Sequence, residues 1–127
     1  MNRHAVSLAF AALLLPVAAL ADAHSEIVNA ETHAGLAAKG TDLAAVHMHL
    51  HHTLNCLVGP SGAGFDAKEI NPCANAGSGA IPDAAGTAKK KTLEAAAAEA
   101  RAGIAEAVLA KAQQDATKIA ALLKKEE

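Results

Sequence analysis

The sequence predicts an all-α protein: a short helical hairpin and one long Ala-rich helix, joined by a disulfide-pinned loop, with a dimeric bundle as one way to cover the long helix. Three observations lead there. Apolar residues between 43 and 57 recur at three-and-four spacing, the chain beyond 87 is rich in Ala, Lys, Glu and Gln, and no stretch alternates apolar with polar residues as a half-buried strand does.

Residues 1–23 read as a cleavable secretory leader and are set apart from the fold. Arg3 and His4 give a basic start, Ala5 to Leu20 form an apolar run interrupted by Pro16, and small residues follow at Ala19, Ala21 and Ala23. The run is short for a bilayer span of about 20 residues, so a membrane anchor is the weaker reading. The protein is therefore expected in the periplasm or outside the cell, with no membrane association once the leader is removed.

The segment 24–58 is the His-rich hairpin. Ser25 to Ala38 carries Ile27, Ala30, Ala34, Ala37 and Ala38 at near-helical spacing, with Ser25 as a cap and Gly40 as a stop. Thr41 or Asp42 then caps a second helix in which Leu43, Val46, Leu50, Leu54 and Leu57 form the apolar stripe, ended by Gly59-Pro60. Residues 59–86 are dense in Gly, Pro, Asn, Asp and Ser and read as a long loop, in which Phe65 and Ile70 either cover a site on the second helix or simply anchor the loop. From 87 to the end, Leu93, Ala97, Ala100, Ile104, Val108, Ile119 and Leu122 or Leu123 line a narrow apolar stripe. A single helix of that length would approach 50 Å at about 1.5 Å per residue. Its length calls either for a bend at Gly103 or for a second chain alongside.

Eleven Lys and Arg against thirteen Asp and Glu give a formal charge of −2, and loss of Arg3 with the leader makes the exported chain more acidic still. Nucleic acid is thereby disfavoured as a partner, because phosphate binding needs a basic footprint. Beyond the leader the chain has no Trp, no Tyr and only Phe65 among the aromatics, so its core needs help from a cross-link, a metal or a partner. Cys56 and Cys73 are the obvious cross-link in an oxidising compartment, worth roughly 3 kcal/mol for a loop of this size. The rival assignment makes both of them thiolate ligands.

Four of the six residues from His47 to His52 are histidine, and imidazole is the commonest protein ligand for transition metals. His47 and His51 are one helical turn apart and border the apolar stripe, which makes them the first choice as ligands. His49 and His52 lie on the other side with Cys56, and His33 joins the set if the two helices fold back antiparallel. The leader adds His24: cleavage after Ala21 leaves Asp22-Ala23-His24, similar to the amino-terminal copper and nickel motif, and cleavage after Ala23 makes His24 the first residue. Met48 could add a thioether, and Asp66, Glu69 and Asp83 carboxylates.

The function expected from the sequence is a non-enzymatic, exported carrier or buffer of a transition metal, copper before zinc or nickel. One alternative is a b-type haem protein with bis-histidine ligation, since CxxCH is absent. Another is a structural or adaptor protein acting through the long helix. Catalysis is not expected, because neither HExxH nor a nucleophile motif is present.

Overall fold

A computed structural model describes residues 23–127, and the proposed leader therefore lies outside the described residues except for Ala23. The described chain is all-helical: α1 (Ala23–Ala38), α2 (Leu43–Val58), the single turn α3 (Ala80–Asp83), α4 (Lys89–Ala105) and α5 (Leu109–Lys124). None of these helices is long and apolar enough to cross a membrane.

The hairpin forms where the sequence places it. Asp42 caps α2, its carboxylate accepting the Ala45 N–H at 2.8 Å, and Gly59 ends the helix with a positive φ of 69° that an L side chain rarely adopts. Ser25, expected as the cap of α1, lies inside the helix, whose described part begins at Ala23. Ala30, Ala34 and Ala37 are fully buried on α1, which packs against both α2 and α5. Between α1 and α2 the Thr53 hydroxyl, also bonded to the His49 carbonyl of its own helix, reaches the Ala30 carbonyl at 3.3 Å.

Cys56 and Cys73 are joined as a disulfide, so neither offers a thiolate to a metal. The loop is held at further points. Asn55, fully buried on α2, donates to the carbonyls of Asp66 and Ile70 and accepts the Asp66 N–H at 2.9 Å, while Glu26 of α1 accepts the Gly79 N–H at 2.8 Å. Phe65 packs partly against the core, and Ile70 is exposed and covers nothing.

The long third helix expected from 87 onward is two helices. The chain leaves helical geometry at Glu106, and α5 folds back to pack on α1 and α4, burying Ile119 and Leu123. The length that suggested a second chain is thus taken up within this one. Gly103 does not bend the helix. It sits inside α4 where an added Cβ would meet Leu50 Cδ1 at 2.7 Å, so its role is close packing of α4 on α2. The break itself is held by tertiary contacts: His47 donates its Nε2–H to the Glu106 carbonyl at 2.9 Å, and Gln113 donates to the Gly40 carbonyl at 2.8 Å.

Two glycine substitutions separate packing from helix propensity. Gly103→Ala is expected to lower stability by about 1 to 3 kcal/mol through overpacking against Leu50. Gly35→Ala, at a helical position of α1 with open space around the new methyl, is expected to raise it by about 0.5 to 1 kcal/mol. Chemical denaturation of the two variants checks both signs.

Candidate metal centre

Three of the histidines converge. His33 from α1 and His49 and His52 from α2 each offer a ring nitrogen, and these three atoms lie within 4.8 Å of one another. His33 Nδ1 and His49 Nδ1 are 3.3 Å apart. The His52 ring stands edge-on to both others, with centroids 5.0 Å from His33 and 5.7 Å from His49. A three-residue spacing on α2 places His49 and His52 on one side of the helix, and the packing of α1 on α2 brings His33 up to them.

The spacing suits an ion. Donors about 2.0 to 2.1 Å from a tetrahedral centre stand roughly 3.3 Å apart, whereas neighbouring donors in a square plane stand about 2.9 Å apart. The observed 3.3 Å between His33 and His49 matches the tetrahedral edge.

Burial favours the neutral form a metal needs at His33 and His52. Burial, and then the proximity of His52 and His49, lowers the His33 pKa from its ordinary 6.5 to about 4. Burial also lowers that of His52, reinforced by His49 and partly offset by the Glu69 carboxylate. His52 is only 5% exposed, and neither of its ring nitrogens has a hydrogen-bond partner; a Glu69 carboxylate oxygen stands 3.6 Å from Nε2. A buried imidazole without partners is unusual and costs about 1 to 3 kcal/mol unless something satisfies it.

The pair placed first by the sequence lies elsewhere. His47 is engaged with the Glu106 carbonyl at the α4–α5 break, and His51 Nδ1 faces Asp66 of the loop at 3.6 Å. His24 is exposed in the first turn of the described part of α1. The terminal chelate that begins at Asp22 involves a residue outside the described ones, whereas the one in which His24 is the first residue does not. Met48 is exposed on α2, one turn before His52. Glu69 is the residue whose importance sequence reasoning understated, since nothing local distinguishes it from Asp66 or Asp83. Compared with known protein families, with characterised proteins and with solved structures, the chain matches none.

The lowered His33 pKa makes the metal-free protein sensitive to acid. Between about pH 6.5 and pH 4 the unfolded chain holds a proton on His33 that the folded chain refuses, so stability falls as pH falls through that window and levels off below it. In chelator-treated protein the denaturation midpoint should drop more steeply from pH 6.5 to 4.5 for wild type than for His33→Gln. Parallel curves would contradict the assignment.

Proposed function

We propose that this chain is an exported transition-metal-binding protein, holding its ion through His33, His49 and His52 and acting as a carrier or buffer. The observation that carries the reading is His52: a side chain 5% exposed, with both ring nitrogens lacking hydrogen-bond partners, beside two other imidazoles. A bound ion would satisfy one of those nitrogens. Export is supported by the leader-like residues 1–23 and by the Cys56–Cys73 disulfide, a bond favoured in oxidising compartments.

Three neutral imidazoles suit zinc, copper and nickel alike. The tetrahedral spacing between His33 and His49 ranks zinc and cuprous copper above the square-planar ions, and the amino-terminal argument for copper draws on a residue outside the described structure. We assign the site no catalysis, for want of any nucleophile motif in the chain. A haem between His33 and a histidine of α2 is less well served, because a porphyrin would have to part α1 from α2 where Thr53 bonds to the Ala30 carbonyl. An adaptor role for the third segment is also less well served: Leu93, Ile119 and Leu123 of its apolar stripe are buried against the rest of the chain.

Metal titration of the purified protein with zinc tests the reading. Single His33→Ala, His49→Ala and His52→Ala variants should each lose at least about tenfold in affinity, and the His47→Ala, His51→Ala double variant should bind as wild type does. Retention of zinc by the three single variants, with loss in the double variant, would move the site to the other side of α2.

A further inference from the structure

Glu69 lies in the loop that packs on α2, and its carboxylate is brought to the one histidine of the cluster that is buried. The placement is built at two points. The side chain of Asn55 binds the backbone of Asp66 and Ile70 on either side of Glu69, and the disulfide from Cys56 to Cys73 fixes the chain four residues beyond it. Asn55 and Cys56 follow His52 on α2 by three and four residues, so the same stretch of helix that presents the ring also anchors the loop that faces it.

The contact has a direction. Glu69 Oε2 approaches Nε2 of His52 at 3.6 Å, slightly beyond hydrogen-bond distance, and Glu69 is not among the groups that converge with His33 and His49. Metal-bound histidines nearly always donate their remaining N–H to a carboxylate, a carbonyl or water, which fixes the tautomer and makes the ligating nitrogen more basic. We propose that Glu69 is a positioning residue for the metal: it accepts a hydrogen bond from His52 Nε2–H and thereby leaves His52 Nδ1 as the ligand, alongside Nδ1 of His33 and of His49. The proposal rests on the reading of the three histidines as a metal site. It gives the loop of residues 59–79 a function, which is to hold one carboxylate against one ring.

The test uses zinc alone, with affinity read by competition against a chromophoric chelator and the His52 tautomer read by 15N-edited NMR of the zinc-loaded protein. Glu69→Ala should weaken zinc binding by roughly 10- to 100-fold. Glu69→Gln, whose amide oxygen still accepts the bond, should recover most of that loss, and Asp66→Asn should bind as wild type does. In the wild-type spectrum Nε2 of His52 should carry the proton and Nδ1 the metal. Wild-type affinity in Glu69→Ala, failure of Glu69→Gln to restore binding, or coordination through His52 Nε2 would each overturn the proposal while leaving the three-histidine site standing. Wild-type zinc affinity in the His33→Ala, His49→Ala and His52→Ala variants would instead remove the site itself.

Discussion

The close approach of α1 to α2 is the constraint on which the rest of the structure depends. Ala30, Ala34 and Ala37 are fully buried on α1, and Thr53 of α2 hydrogen bonds to the Ala30 carbonyl across the contact. Helix pairs commonly sit about 8 to 10 Å apart, the distance being set by the side chains at the contact. Ala30 is three residues from His33, and Thr53 adjoins His52 and follows His49 by four. Every imidazole of the cluster therefore lies within about one turn of the contact that fixes the helix separation.

Small side chains that permit this approach bury little area, and the protein compensates with links of other kinds. Its fully buried large residues are few, chiefly Ile27, Leu50, Leu57, Leu93, Ile119 and Leu123, with no aromatic among them. The disulfide constrains the unfolded chain, Asn55 provides three hydrogen bonds from one buried amide, and Glu26 ties the end of the loop to α1. Polar groups buried in this way are tolerated because they are bonded. His51 Nδ1 and both nitrogens of His52 depart from that pattern, and of these two rings only His52 stands in a cluster with two other imidazoles.

Much of the fold was legible in the sequence because its signals are local. Asp42 as cap, Gly59 as stop and the stripe from Leu43 to Leu57 set α2 almost to the residue, and the Gly- and Pro-rich stretch marked the loop. The break after Ala105 was not legible, since the residues at 106–108 include neither Gly nor Pro. That turn is made by what α5 buries against α1 and by His47 taking up the freed Glu106 carbonyl, both distant in sequence. The cluster forms on a different face of α2 from the pair placed first, for a related reason. An amphipathic reading assumes one buried side, whereas from His52 to Val58 the helix is buried all round, with α1, α4 and the loop packed about it. The stripe of leucines therefore marked one contact surface, and the side carrying His49 and His52 proved to be another, covered by α1.

The cluster is costly as packing. His33 and His52, which desolvation and neighbouring imidazoles hold neutral, contribute less to a core than leucines of similar volume, and a ring with two unpartnered nitrogens detracts from it. Structural histidines in this same chain are arranged differently: His47 donates to a carbonyl and sits at the break it stabilises. His33, His49 and His52 instead bring ring nitrogens within 4.8 Å of one another, with His33 and His49 at 3.3 Å, a cluster that could hold a metal ion.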